Sequence, residues 1–151
     1  MGYSVFSGIR RLHLVDLSSD NAVASSSSHT VTLTPGVGEI YEVLHMYVAI
    51  PAIAGSSGDH ELECFQKFGS NDRSHWYMKN PGTSAMYIHR HILWATTTKS
   101  PPNEVSQVLL FTPRSLFCSQ EYPLKFKYTN GTDTNQTGTR TIEVLVGVRS
   151  G

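Results

Sequence analysis

The residues best placed to do chemistry are two histidines one residue apart, His89 and His91 in "YIHRHILW". On an extended chain, positions two apart leave the same face, which lets a β-scaffold offer two imidazoles to one metal ion. His45, in the apolar run "EIYEVLHMYVAI", is the candidate third ligand from a neighbouring strand. The preferred reading of the same three histidines is a polar sheet face or a subunit contact in which every ring nitrogen finds a hydrogen-bond partner. No histidine follows His91, and the next carboxylate, Glu104, lies beyond Pro101 and Pro102. A complete metal centre is therefore not expected, and no cofactor is assigned.

The stretch "NDRSHWYMKNPG" (71–82) reads as a loop that groups Arg73, His75, Trp76 and Tyr77 beside Asn71, Asp72 and Asn80. Aromatic residues and Arg dominate binding hot spots, so an exposed group of this kind could grip a sugar ring or a protein partner. The alternative is that Trp76 and Tyr77 plug one end of a core. Cupins carry His-x-His followed closely by Glu, with a further His on a later strand; this chain matches them only at His89 and His91. A cupin-like metalloenzyme is thus the third-ranked reading. No G-x-S-x-G elbow is present, and the Ser, Asp and His of "GSSGDH" (55–60) stand in a turn-forming stretch. No catalytic residue is assigned, and the chain is expected not to be an enzyme.

The elements that must position these residues follow from composition and pattern. A chain of 151 residues fits one domain, and a domain of that size buries about 70% of its unfolded surface. Twelve Lys+Arg balance twelve Asp+Glu, so there is no electrostatic footprint for nucleic acid. Charged residues are 16% of the chain, against roughly 25% in ordinary domains, and Ser and Thr number 32 of 151. A weakly charged, hydroxyl-rich surface tolerates close association between copies. The N-terminal "MGYSVFSGIRRLHL" has no apolar h-region, position 6 is Phe rather than Ser or Thr, and Val43–Gly55 is too short to span a bilayer. These features lead us to expect a protein that is neither exported nor attached to a membrane. Cys64 and Cys118, in "LECF" and "LFCS", are expected to be buried and free, with a bridge between them the lesser alternative.

Along the chain, the Ser-rich stretch "SSDNAVASSSSH" (18–29) suggests a link between an N-terminal arm or edge strand (1–28) and the main body (29–151). The body is punctuated like an all-β domain, with eight apolar runs at 29–34, 39–50, 60–68, 85–95, 105–111, 114–119, 122–129 and 139–148. Eight such strands predict an antiparallel two-sheet sandwich of jelly-roll type, with an immunoglobulin-like sandwich as the alternative. Residues 39–50 look apolar on both faces, with Ile40, Leu44, Met46, Val48 and Ile50 on one side and Tyr41, Val43, His45 and Tyr47 on the other. A strand covered on both sides predicts an oligomer in which Tyr41, Val43 and Tyr47 meet a neighbouring copy.

The closing residues "KYTNGTDTNQTGTRTIEVLVGVRSG" contain two Asn-x-Thr triplets, at Asn130 and Asn135. They are better read as turn chemistry than as glycan acceptors. The expected form is one long hairpin in which Leu124, Phe126 and Tyr128 share a core with Ile142, Val144 and Val146, its tip at Asn130 and Asn135 offered to a neighbour.

The segments "TPGVGEIYEVLHMYVAI" and "PLKFKYTNGT…QTGTRTIEVLVGV" resemble small jelly-roll virion proteins: capsid decoration or cement proteins of tailed phages and single-jelly-roll capsid components. The likeness is one of strand and turn pattern over about residues 28–149. It implies a non-enzymatic homo-oligomer, a trimer above all, that binds the major capsid protein or other virion proteins. It also implies a location in the virion after synthesis in the host cytoplasm. The alternative function is a carbohydrate- or receptor-binding β-sandwich built on Trp76 and Tyr77.

Overall fold

A computed structural model describes residues 8–91 and 116–151, with residues 89–91 taken at the level of the backbone. The described chain is all-β. Its strands are β1 (Arg11–Asp16), β2 (Ser27–Leu33), β3 (Glu39–Ile50), β4 (Asp59–Phe68), β5 (Asn71–Pro81), β6 (Met86–His91), β7 (Leu116–Ser119), β8 (Leu124–Asn130) and β9 (Thr141–Ser150). They form two antiparallel sheets packed as a sandwich. One has the order β1-β9-β3-β6, with β7 beside β6 on the far edge of β3; the other has the order β2-β8-β4-β5. Among the described residues, strands consecutive in sequence mostly alternate between the sheets, and only β4 and β5 form a hairpin within one. The run expected at 105–111 lies outside the described residues, as does Glu104.

Period-two alternation explains most of the core. Val144, Val146 and Val148 of β9, Leu124, Phe126 and Tyr128 of β8, and Leu62 and Cys64 of β4 are all buried in one cluster between the sheets. β3 departs from simple alternation. Its register against β9 shifts between Val43 and His45, so one extra residue, Leu44, is inserted opposite an unbroken partner. Tyr41 and Val43 before the bulge therefore share the core with Met46, Val48 and Ile50 after it. The expectation of a strand apolar on both faces is corrected accordingly: β3 has one core face, carried by odd positions before the bulge and by even positions after it.

The C-terminal segment is also corrected. β8 pairs with β2 and β4, whereas β9 pairs with β1 and β3, so the residues between them cross from one sheet to the other. The expected sharing of a core holds, because Phe126 and Val146, on opposite sheets, are members of one buried cluster. The hairpin does not.

The Ser-rich stretch is a fixed crossing. Ser19 and Val23 make paired backbone hydrogen bonds of 2.9 Å to Arg140 and Gln136, and Val23 is buried. Residues 11–16 take up the edge-strand alternative for the N-terminal segment, against β9. The stretch 71–82, read as a loop, is largely β5. Its pattern is obscured by a second bulge, opposite Cys64 and Phe65, that leaves His75 without a register partner.

Cys64 and Cys118 come from opposite sheets, and both are buried and unbridged. Burial raises both thiols, Cys118 to about 12, so neither supplies a reactive thiolate near neutrality. Phe126 is the large aromatic at the centre of this core and packs on Trp76 with ring centroids 6.0 Å apart. Phe126→Ala is expected to lower the unfolding free energy by about 3–5 kcal/mol in urea titrations, with Lys127→Ala, on the exposed side of the same strand, changing it by less than about 0.5 kcal/mol.

Candidate interaction surface

The two sheets turn unlike faces outward. On the second sheet the register sets Glu63 opposite Lys127 and Glu61 opposite Lys79, and Lys79 also reaches Asp59 at 3.4 Å. Thr30 and Thr32 lie opposite Lys127 and Lys125 on the same face. Alternating charges and hydroxyls of this kind are what water solvates.

On the first sheet the positions between the core residues include a row of apolar side chains among polar ones such as His45 and Glu143. Leu12 and Leu14 of β1, opposite Gly147 and Leu145 of β9, are 56% and 59% exposed. Phe117, opposite Glu42, and Tyr87, opposite Ala49, are also exposed. Leu145 and Tyr47 are half-buried between these groups. The row runs across the sheet from the β1 edge to the β6 edge, and β1 leaves its outer backbone groups unpaired among the described residues.

A buried ion pair interrupts the row. Glu42 is 3% exposed and accepts two hydrogen bonds from Arg149, from Nε at 2.8 Å and from Nη2 at 2.5 Å. The pair lies beside Gly147, where the chain entering β1 folds over the sheet and Ile9 occupies the space a Cβ would need. A Cβ there would displace the Ile9 side chain.

The residues singled out from sequence separate into different environments. Trp76 is buried in the core, 5% exposed, and its indole N–H finds no hydrogen-bond partner among the described residues. It cannot stack on a sugar, so the carbohydrate reading loses its anchor. Tyr77 is half-buried on the charged outer face, opposite Glu63, and its hydroxyl is raised by burial first and by Glu61 second. His75 is turned inward, with Nε2 2.8 Å from Gln66 Oε1, while Arg73 is exposed at the end of the β4–β5 hairpin. These four residues do not form one surface.

Tyr41 and Val43 point into the core and are not available to a neighbouring copy; Tyr47 remains on the outer face. Asn130 is fully buried and Asn135 is exposed. Among the described residues no group of three or more His, Cys, Asp or Glu side chains could hold a metal ion. By register, however, His45 lies opposite His91 and Tyr47 opposite His89.

Sequence reasoning missed a polar cluster at one end of the sandwich. Asn130 there donates both amide hydrogens, to the carbonyls of Val23 (3.0 Å) and Thr134 (2.8 Å), and its Oδ1 accepts from Thr132 N (3.0 Å) and Oγ1 (2.6 Å). Gly58 meets this turn with φ of 99° and leaves no room for a Cβ beside the carbonyl of Gly131. Deeper in, His60 lies between the Ser84 carbonyl, 2.8 Å from Nε2, and the Tyr128 hydroxyl, 3.1 Å from Nδ1. A carbonyl can only accept, so Nε2 carries the proton and Nδ1 accepts from the hydroxyl of Tyr128. Arg140 stacks over the Tyr128 ring at 5.3 Å and hydrogen-bonds Gln136 and His29. Only the Asn-Gly and Asn-x-Thr turn residues hinted at this cluster.

Compared with known proteins, the chain matches no family model and no curated sequence.

Burial lowers His60 from 6.5, opposed by the Ser84 hydrogen bond and by Asp59, and His75 is lowered by burial and by Arg73. The unfolded chain therefore takes up protons first as pH falls below 6.5. Stability is fully present above that value and is lost as pH falls toward the folded-state pKa values. Unfolding free energies measured from pH 7.5 to 5 are expected to decline, and His60→Asn to flatten the decline. Asn130→Ala, which removes four hydrogen bonds and leaves the Thr132 N–H without its acceptor while Val23 O and Thr134 O keep Gln136 N and Thr132 Oγ1, is expected to cost about 2–3 kcal/mol in the same assay, and Asn135→Ala less than about 1 kcal/mol.

Proposed function

We propose that the chain is a non-enzymatic structural protein of a virion: a jelly-roll decoration or minor capsid subunit that stabilises a shell through contacts with copies of itself and with the major capsid protein. The observation that carries this reading is the contrast between the two outer faces. A sheet whose outer face shows Leu12, Leu14, Phe117 and Tyr87, beside a sheet covered in paired charges, has one side suited to water and one suited to another protein.

The strand order supports the jelly-roll form. β1-β9-β3-β6 facing β2-β8-β4-β5 places the first and last strands side by side and interleaves the two halves of the chain, as two nested Greek keys do. The zero formal charge favours a second copy of this chain as the first occupant of the apolar face, since like copies carry no net charge to repel one another. A small homo-oligomer, a trimer above all, is the working unit. Binding requires no nucleic acid and no membrane, and the residues that meet the shell belong to the same face.

Sedimentation velocity and light scattering of the full chain test the reading. The wild type is expected to run as an oligomer at micromolar concentration, and Leu12→Glu with Leu14→Glu to return it to monomer without loss of its β-sheet circular dichroism signal. A wild type that stays monomeric and fails to co-sediment with particles from its native source overturns it.

A further inference from the structure

We propose that the free edge of β1 pairs with β1 of a second copy, antiparallel about a two-fold axis at His13, so that the first sheets of two molecules run on as one. The inference rests on the reading that copies of this chain meet one another, and it specifies a contact separate from the one that builds a trimer.

The ladder fixes which backbone groups are free. Ser19 and Arg140 exchange both hydrogen bonds at 2.9 Å, and Leu17 N donates to Ile142 O at 2.8 Å. In an antiparallel ladder such exchanged pairs recur at every second residue. Val15, His13 and Arg11 therefore turn their N–H and C=O toward β9, at Val144, Val146 and Val148. Leu12 and Leu14 turn theirs the other way, where they meet no partner among the described residues, and their side chains are exposed on the outer face.

Edge strands are usually blunted by bulges, prolines or charged side chains. On the second sheet, β5 has a bulge, ends at Pro81 and exposes Asp72, Arg73 and Lys79, while β2 exposes Ser28, Thr30 and Thr32. β1 has none of these devices along its middle: its six residues, RLHLVD, keep a regular register and carry charge only at the two ends.

Those ends choose the orientation. Arg10 and Arg11 stand at the start of the strand and Asp16 at its close, so antiparallel pairing sets the basic end of each copy beside the acidic end of the other. Parallel pairing would align like charges, which is destabilising. The leucines choose the register. A two-fold axis perpendicular to the sheet opposes residues of the same face, and with His13 on that axis Leu12 faces Leu14 of the second copy while Leu14 faces its Leu12. Each of these pairs exchanges both backbone hydrogen bonds, and the leucines of both copies form one cluster. Moving the axis to Leu14 sets Leu12 against Asp16, and moving it to Leu12 sets Leu14 against the basic start of the strand. The contact is isologous and small, so it is weak between single domains and gains when the same copies are already held in an assembly. It continues the apolar row of one outer face onto the next molecule.

Disulfide trapping on the full chain tests the pairing. His13 meets its own copy as a non-hydrogen-bonded pair, with Cα atoms about 4.5 Å apart, within the span of a disulfide. Cys64 and Cys118 are buried and do not compete. Under mild oxidation His13→Cys is expected to give a dimer linked at position 13, identified by peptide mass spectrometry, about tenfold faster than Leu14→Cys, whose sulfurs are out of register. Adding Leu14→Pro, which removes an outward N–H and no bond to β9, is expected to abolish the crosslink, with circular dichroism establishing that each reduced variant is folded. Crosslinking equally fast at Leu14→Cys, or unaffected by Leu14→Pro, overturns the pairing. If the wild type assembles and His13→Cys stays reduced, the pairing is wrong and the assembly reading stands; if the wild type is monomeric and His13→Cys stays reduced, both fall.

Discussion

One inserted residue organises the first sheet. β3 is its central strand, paired along nearly its whole length with β9 on one side and with β7 and then β6 on the other. Because side chains alternate with a period of two, a single extra residue inverts every face assignment beyond it. The bulge at Leu44 is therefore a switch of phase: it lets the Tyr41–Val43 half and the Met46–Ile50 half contribute to one core. β9 crosses both halves without interruption and contributes Ile142, Val144, Val146 and Val148 to that core.

The same phase change distributes the polar residues. Glu42 precedes the bulge and faces outward with Arg149, while His45 and Tyr47 follow it and face outward with Leu145 and Glu143. The outer face of the first sheet is thus assembled from two registers of one strand. The second sheet needs no such correction in β4, where His60, Leu62, Cys64 and Gln66 alternate inward without a break. Its bulge lies instead in the edge strand β5, where the distortion leaves the centre of the sheet regular and displaces only His75. A hydrophobic core of this kind accepts irregularity in one strand when the neighbour is regular, because close packing fixes side-chain volume and face but not the number of backbone residues.

The legible part of the fold was what periodicity carries. Val144, Val146 and Val148, and likewise Leu124, Phe126 and Tyr128, announce their face by strict alternation, and the structure buries them together. The two thiols, set among apolar neighbours, are buried as such neighbours dictate. What could not be read was pairing. Nothing in residues 122–148 says whether two strands joined by a polar connection are partners in one sheet or opposed across two, since both arrangements bury the same side chains. The bulges hid in the same way: an apolar Leu44 in an apolar run carries no mark of being the extra residue, and Trp76 looked like a loop aromatic because Asn, Asp, Arg and Ser precede it. The candidate site suffered most, because the contrast between outer faces is a property of the register and not of any single segment.

The buried turn at Asn130 has a consequence for when chemistry can reach it. Both hydrogens of its side-chain amide are held by carbonyls from two separate stretches of chain, and its oxygen is held by Thr132. Reaction at that nitrogen requires the end of the sandwich to be open, with the 17–26 crossing and the 131–140 crossing apart. A modification at Asn130 would therefore record the order of events in the life of the chain, dating itself to the interval between synthesis and closure of the fold.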